Sequence, residues 1–351
     1  MRFCVINLPK ISSSIGRSVA ITGAGGRLGC YLVAALDQVG IRAIPMPRAI
    51  LSGSPKEIKG YLKETGASAV VNSAALSQGS FNAMMEVNVN GAVKLGKVTR
   101  EMRLPFFHMS STATWICGIS KAKTPYAWSK KIAKEELLQE SNVTIVDLDV
   151  LLGKSQVDQI DISTLAAGGV PIAVQMLGNR HIIQPTSYQA AGKAIANLVS
   201  ESVKGRPVPS SITIAGEPIA LGDFVHLIKS EDFLFKHFGL EMNLQPEDLL
   251  NFAKLVNNGS LSPEFLHLGQ MAASSPKIHD NEIFEHFHGD PIPTHAELAD
   301  QMKKTTALDI LKTVSNIYKD SSQKLDLSIE ALRVWQKCSV KKIGMGYERR
   351  S

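Results

Sequence analysis

The sequence is poor in cysteine, and the cysteines that it has are not grouped. Cys4, Cys30, Cys117 and Cys338 are scattered along 351 residues. Zinc sites and disulfide frameworks need closely spaced cysteines, so we predict neither, and we expect a reducing compartment, the cytoplasm. The sequence also lacks an apolar run near the roughly 18 residues that a membrane span requires, so we predict no membrane partner.

Acidic residues are absent from the first 17 residues and rare in the last 20. The arm 1–17 is basic and serine-containing like a mitochondrial transit peptide, but a short N-terminal arm is commoner and is our prediction. Residues 332–351 carry six Lys or Arg against one acid, which places +5 of the net charge of +6 at this end. Such tails can touch nucleic acid, yet most are solvated termini, so we predict no nucleic-acid partner.

An apolar strand followed by a glycine-rich turn lies near the start of the chain. Residues 19–29 read Val-Ala-Ile-Thr-Gly-Ala-Gly-Gly-Arg-Leu-Gly, and apolar residues at helical spacing follow. Gly23, Gly26 and Gly29 would let the backbone turn tightly, let a pyrophosphate approach the amides, and let the helix pack on the strand. The pattern predicts a dinucleotide-binding turn, although glycine-rich turns occur in many α/β proteins.

The second predicted strand, residues 41–46, is followed by an arginine rather than by an acid. An acid near this point accepts a hydrogen bond from the ribose of NAD, whereas an arginine favours the 2'-phosphate of NADP. We therefore predict NADP as the cofactor, with NAD as the alternative. Arg48 is the predicted phosphate ligand, with Arg27 or Arg42 as a helper, and the competing interpretation is a solvated arginine on a loop.

Strands and helices alternate from the glycine turn to residue 152. The predicted elements are helix 56–65, strand 68–72, helix 81–102, strand 104–109, helix 125–140 and strand 143–152. This alternation predicts an α/β fold with a Rossmann-type, doubly wound parallel sheet. The small residues Ser73, Ala74 and Ala75 follow the strand 68–72 and would let a cofactor pass above its end.

Tyr126 and Lys130 lie four residues apart, so they share one face of the predicted helix 125–140. We expect the ammonium of Lys130 to lower the pKa of the Tyr126 phenol from its usual value of about 10. Tyr126 could then exchange a proton with a carbonyl or alcohol oxygen while a nicotinamide cofactor exchanges hydride. The hydroxyl of Thr112 or Ser111 would bind the reacting oxygen. Taken singly, each side chain could equally be an ordinary structural residue.

Five motifs in this order resemble the short-chain dehydrogenase/reductase family, in its extended branch of nucleotide-sugar epimerases and reductases. They are residues 22–29, 71–75, 88–91 and 110–114, and Tyr126 with Lys130. The resemblance implies that Tyr126 is the general acid/base, Lys130 its partner, and Thr112 the substrate-oxygen contact with Ser111 as the alternate. The predicted cofactor contacts are Gly23, Gly26, Arg27, Leu28, Gly29, Arg48, Asn72, Ala74, Ala75, Asn88, Tyr126 and Lys130.

Two departures from the family pattern narrow the prediction. Dehydratases of the family carry an acidic pair directly after the Ser or Thr, and Ala113 and Thr114 stand there instead, which disfavours dehydration. Tyr126 comes only 14 positions after Thr112, so we expect a short loop over the substrate. The favoured function is a 4-keto sugar-nucleotide reductase acting on a small-molecule substrate. A sugar-nucleotide epimerase is the alternative, and a non-catalytic NADP-binding regulatory or scaffold subunit is the alternative from another class.

The composition, 44% hydrophobic and 20% charged, is that of an ordinary globular protein. We predict an arm 1–17, a dinucleotide-binding domain 18–155, a mixed α/β segment 156–230 that partly completes the sheet and partly binds substrate, and a mainly helical part 231–351. Helix 188–200, strand 211–215 and helix 222–229 are expected in the third of these. His279, His286, His288 and His295 match no metal motif, so we predict a polar surface loop and no metal. A homodimer is left open.

Overall fold

A computed structural model describes residues 17–76, 80–115, 117, 125–153, 182–220, 223–224, 227, 278–279 and 282–303. The arm 1–16 and the basic tail 332–351 lie outside the described residues, as does most of the predicted helix 222–229. None of the described helices is long and apolar enough to cross a bilayer.

Six parallel strands form the central sheet, in the order β2-β1-β3-β4-β5-β9. The strands are β1 (Ser18–Thr22), β2 (Arg42–Pro45), β3 (Ala67–Asn72), β4 (Phe106–Ser111), β5 (Val143–Leu148) and β9 (Ser211–Ile214). The strand order reverses between β1 and β3, and such a switch point is where open α/β sheets bind their ligands. The predicted doubly wound, Rossmann-type sheet is therefore confirmed.

Helices cover both faces of this sheet, because its strands are apolar on both sides. One face packs against α1 (Arg27–Gln38), α7 (Tyr188–Val203) and α8 (Glu282–His288), and the other against α3 (Pro55–Glu64), α5 (Ala92–Glu101) and α6 (Pro125–Leu137). Alternation along β1 shows the principle. Val19 and Ile21 belong to the core under α1, whereas Ala20 belongs to the core on the other side.

The contact between α1 and α7 is close because small residues line it. A Cβ atom added to Gly192 would lie 3.1 Å from the backbone carbonyl carbon of Tyr31. The ring of Tyr188 stacks on that of Tyr31, with ring centroids 5.9 Å apart. Ser187 caps the start of α7 by accepting a hydrogen bond from the amide of Ala190.

Two elements differ from the prediction by more than a shift of a few residues at their ends. The predicted helix 81–102 is divided into α4 (Phe81–Met84), a π-helical turn (Met85–Gly91) and α5. The predicted strand 143–152 leaves the sheet after Leu148, where β6 (Leu151–Leu152) pairs instead with β8 (Thr186–Ser187). The apolar residues on either side of Asp149 do not reveal such a change of partner, because both sheets accept apolar residues.

The remaining described elements are short. They are α2 (Arg48–Ser52), β7 (Ile182–Ile183), β10 (Ile219–Ala220) and α9 (His295–Lys303), with β7 and β10 forming an antiparallel pair. The predicted polar loop around the histidines is wrong in part, since His286 and His288 lie in α8 and His288 is buried. Among the described residues, no group of three or more His, Cys, Asp or Glu side chains could hold a metal ion.

Candidate active site

The predicted site residues lie at one edge of the sheet, the edge at which the parallel strands end. The glycine turn follows β1, Ala74 and Ala75 follow β3, and Thr112 follows β4. Parallel strands bring all of these ends together, which is why ligands of open α/β sheets bind at this edge.

The glycine turn is shaped by close contacts within the protein. Gly23 has a φ of 68°, and a Cβ atom on it would lie 2.7 Å from the backbone nitrogen of Ala74. A Cβ atom on Gly29 would lie 2.1 Å from the carbonyl oxygen of Gly23. By contrast, no described atom lies within 4 Å of a Cβ position on Gly25. Gly26 caps α1 without a described side-chain bond, which leaves the helix N-terminus suited to an anion.

Three buried polar side chains join the ends of β1, β3 and β4. The Thr22 hydroxyl donates to Asn72 Oδ1 at 2.5 Å and accepts from the Ala74 amide at 3.2 Å. The Asn72 amide donates to Nδ1 of His108 at 3.0 Å. Burial, and to a smaller extent the charge of Lys130, hold the pKa of His108 well below its usual value, so the imidazole is neutral. The Asn72 side chain thus joins β1 to β4, and a contact of this residue with the cofactor stays a prediction.

Asn88 lies in the π-helical turn and connects two parts of the edge. Its Oδ1 accepts from the Leu76 amide at 2.7 Å, and its Nδ2 donates to the Leu76 carbonyl and to Ser129 Oγ, each at 2.9 Å. The side chain is buried. It therefore positions the segment after β3 against α6, and its predicted contact with the cofactor stays a prediction.

Tyr126 lies in the first turn of α6, with the Ser111 hydroxyl near enough to affect the pKa of its phenol. Burial raises the pKa of the phenol, while the Ser111 hydrogen bond and the charge of Arg27 act in the opposite direction. The expectation that Lys130 lowers this pKa is wrong. The phenol stays protonated at neutral pH, and the nearby charge comes from the start of α1.

Lys130 is directed into the sheet rather than toward Tyr126. Its Nζ donates to the Met109 carbonyl at 2.8 Å, and the residue is 2% exposed. Burial lowers the pKa of Lys130 to about 8, against the opposing effect of the Asp147 carboxylate. The four-residue spacing places Tyr126 and Lys130 on one helical face, as predicted. That face packs against β4, so the long side chain of Lys130 reaches the backbone of the strand.

Asp147 is a buried carboxylate of β5 that sequence reasoning missed. It forms an ion pair with Lys134 of α6, and its charge also favours the protonated form of Lys130. The signal was present in the sequence, because Asp147 and Asp149 interrupt a strand that is otherwise almost entirely apolar. Carboxylates are rarely buried unless they are paired or functional.

The two neighbouring hydroxyls after β4 have different partners. Ser111 affects the pKa of the Tyr126 phenol and accepts from the Ala113 amide at 3.2 Å. The Thr112 hydroxyl donates to the Leu148 carbonyl at 3.4 Å, and it also acts to lower the pKa of the Asp149 carboxyl. Which of the two hydroxyls binds the substrate oxygen stays a prediction.

The predicted phosphate-binding arginines lie at opposite edges of the sheet. Arg48 is exposed at the start of α2, just after β2, and Arg27 begins α1. Both are at the edge of the glycine turn. Arg42 opens β2 and therefore lies at the other edge, roughly 10 Å away along a four-residue strand, so its predicted role as a helper is wrong. Leu28 is buried in the core under α1.

No protein-family model matches the sequence, and no curated protein matches it. Among solved structures, the enzyme WbmG of Bordetella bronchiseptica in complex with NAD has a TM-score of 0.57 at 13% identity, over 86% of this chain and 97% of that one. A partial consensus L-threonine 3-dehydrogenase has a TM-score of 0.57 at 14% identity, over 81% and 97%. UDP-N-acetylglucosamine 4-epimerase of Bacillus cereus has a TM-score of 0.51 at 14% identity, over 82% and 98%. At these identities the likeness establishes a shared fold.

Proposed function

We propose that the chain is an extended short-chain dehydrogenase/reductase, an NAD(P)-dependent oxidoreductase that acts on a nucleotide-sugar-like substrate. Its favoured activity is that of a 4-keto sugar-nucleotide reductase. The observation that carries the proposal is the place of Tyr126 in the first turn of α6, where Ser111 and the charge of Arg27 act to lower the pKa of its phenol. The fold shared with an NAD-bound enzyme, a dehydrogenase and an epimerase supports it.

The glycine turn and the start of α1 fit a dinucleotide. Gly25 offers open space to a phosphate, and the uncapped start of α1 offers amide donors. Arg48 is exposed at the same edge, where it could bind a 2'-phosphate, so NADP is favoured over NAD. The bound cofactor would supply the hydride. We place this function in the domain 18–155 and assign substrate binding to parts of 156–230 and 231–351.

Tyr126 is suited to donate a proton to a carbonyl oxygen. Because burial raises its pKa, the phenol carries its proton at neutral pH, and the protonated form is the one that a reduction needs. Once the proton has left, the Ser111 hydrogen bond and the Arg27 charge stabilise the phenolate. Lys130 contributes by positioning Tyr126. Its hydrogen bond to the Met109 carbonyl joins α6 to β4 and so fixes the helix that carries Tyr126.

The alternatives use the same fold in different ways. An epimerase would oxidise and then reduce its substrate with the same Tyr126, so only the products distinguish it from a reductase. A non-catalytic NADP-binding subunit would have no need of a phenol whose pKa is affected by a serine and an arginine of the ligand-binding edge. That arrangement favours an enzyme.

Turnover with a matched pair of tyrosine variants tests the proposal. The oxidation of NADPH is followed with a panel of nucleoside-diphosphate 4-keto-hexoses, for wild type, Tyr126→Phe and Tyr61→Phe. Loss of a positioned proton donor should lower kcat about 10²- to 10⁴-fold in Tyr126→Phe, without weakening dinucleotide binding. Tyr61, whose hydroxyl bonds the Pro45 carbonyl far from Tyr126 along the chain, should tolerate the change. Dinucleotide binding without turnover of any compound, or equal activity of both variants, would contradict the proposal.

A further inference from the structure

Lys94 of α5 donates hydrogen bonds to the short helix on which the proposed phosphate ligand lies. Its Nζ lies 3.0 Å from the Gly53 carbonyl oxygen and 3.4 Å from that of Leu51, both at the end of α2. Arg48 is the first residue of that helix. We propose that Lys94 is a positioning residue, which holds α2 so that Arg48 can bind the 2'-phosphate of NADP. The inference rests on the proposed function and concerns which dinucleotide its site selects.

α2 needs bonds from other elements in order to keep its place. It has only five residues, and none of them is buried. Helices shorter than about 12 residues are marginal in water by themselves, and the last carbonyls of a helix lack partners within it. Ile50 and Leu51 pack against the core only as partly buried residues. A lysine that donates to the last carbonyls supplies the missing partners, and its charge is favourable at this end of a helix.

Hydrogen bonds connect Lys94 to Arg48 in two steps. The two carbonyls that accept from Lys94 belong to the residues on either side of Ser52, and the Ser52 hydroxyl donates to the Arg48 carbonyl at 2.9 Å. Lys94 thus fixes the end of α2, and Ser52 joins the first residue of α2 to that end. Because the backbone of Arg48 is held in advance, its side chain loses less conformational entropy when it binds a phosphate.

The helical segment that carries Lys94 supports both neighbours of the glycine turn. Asn88, which comes earlier in the same segment, is bonded to the backbone of Leu76 after β3. Leu51 of α2 rests near the start of α5, where its Cδ1 lies 3.8 Å from a Cβ position on Gly91. Since β2 and β3 lie on either side of β1, the turn that follows β1 lies between these two supported segments. Lys94 therefore belongs to the support of the dinucleotide site.

Calorimetric titration with NADP and with NAD tests the inference, because the two dinucleotides differ only in the 2'-phosphate. Lys94→Met should weaken NADP binding about three- to fivefold, through the entropy of ordering Arg48, and should change NAD binding less than about twofold. Lys94→Arg keeps donors for the two carbonyls and should retain the preference for NADP. Lys97→Met, at an exposed lysine of the same helix, is the matched control and should change neither affinity. Equal weakening of NADP and NAD by Lys94→Met would overturn the inference.

A double-mutant cycle shows whether Lys94 acts through Arg48. Arg48→Ala should weaken NADP binding about tenfold, and adding Lys94→Met should weaken it no further, because the side chain that Lys94 positions is gone. If the two losses multiply, the ammonium attracts the phosphate directly and the inference is wrong. Ser52→Ala, at an exposed position, should also weaken NADP binding selectively, and it replaces Lys94→Met if that variant does not fold.

The outcomes separate this inference from the proposed function. If wild type binds NADP and NAD equally, or if Lys94→Met and Ser52→Ala leave the preference for NADP intact, the inference fails while Tyr126-dependent turnover still supports the proposed function. If wild type binds neither dinucleotide, the proposed function fails, and the role given to Lys94 fails with it.

Discussion

The two halves of the ligand-binding edge are built on different principles. At the ends of β1 and β2 the site is formed mainly by the backbone. Gly23 and Gly29 are required there because neighbouring backbone atoms leave no room for a side chain. The half at β4 and β5 works through individual side chains, of which Lys130 and Asp147 are buried and charged. We therefore expect the first half to select ligands by shape, and the second half to select them by hydrogen bonds to particular atoms.

Only the half at β4 and β5 should lower the free energy of unfolding by burying charged side chains. A turn without side chains buries no polar group beyond its own backbone. Burying an ammonium and a carboxylate costs free energy that their mutual attraction repays only in part. The lowered pKa of Lys130 is a direct sign of that cost. We therefore expect substitutions in the two halves to differ in pH dependence and in ligand dependence.

The largest contrast should come from Lys130→Met. The pKa of Lys130 is about 8 in the folded chain and 10.5 for a lysine in the unfolded chain, so between these pH values the unfolded chain binds more protons. Wild type should therefore gain about 3 kcal/mol of unfolding free energy between pH 8 and pH 10.5, a gain that Lys130→Met lacks. Urea unfolding at pH 7.5 and pH 10 measures it, with Lys131→Met on the same helix as the control. If the free energy of unfolding changes with pH equally in wild type and Lys130→Met, the proposed difference between the two halves is wrong.

Gly23→Ala should show the opposite pattern, a loss that does not depend on pH. A side chain at a φ of 68°, 2.7 Å from the Ala74 backbone, should lower the unfolding free energy by about 2 kcal/mol and weaken dinucleotide binding. Gly25→Ala is the matched control, because its Cβ has open space and its unfolding free energy should change little. Urea unfolding and calorimetric NADP titration measure both variants. Equal unfolding free energies of Gly23→Ala and Gly25→Ala would show that the close backbone contacts of Gly23 do not determine the stability of the turn.

Among these three variants, Arg48→Ala should have the smallest effect on ligand binding. Arg48 is the one exposed side chain that we assign to the half at β1 and β2. The substitution should weaken NADP binding about tenfold through loss of a phosphate contact and leave NAD binding nearly unchanged. Arg42→Ala, at the opposite edge of the sheet, should alter neither. Equal weakening of NADP and NAD by Arg48→Ala would refute the role of this residue in selecting the cofactor.

The fold was readable from the sequence because its signals are local. The glycine spacing of residues 23–29 and the apolar runs of the strands each report on their own segment, and the sheet confirms them. The helix with Tyr126 and Lys130 was readable for the same reason. Their roles stay predictions, as do the domain boundaries.

The partners of the site's side chains were not readable, because each choice depends on residues far along the chain. Ser111 and Thr112 are adjacent, yet Ser111 affects the pKa of Tyr126, whereas the Thr112 hydroxyl donates to the Leu148 carbonyl. Lys130 reaches a carbonyl only because α6 packs on β4. Spacing identifies which residues can meet on one face, whereas packing decides where a long side chain ends.

The place of β9 in the sheet has a consequence for how the chain acquires its structure during synthesis. The hydroxyl of Thr144 in β5 bonds the Pro209 carbonyl, 65 residues further along, and the Asp149 amide donates to Ile214. Until β9 has left the ribosome, β5 is an open sheet edge, ready to pair with a neighbouring chain. The strands that carry the glycine turn can associate earlier, so Asp147 and Asp149 lie at a part of the sheet that is completed only after β9 has been made.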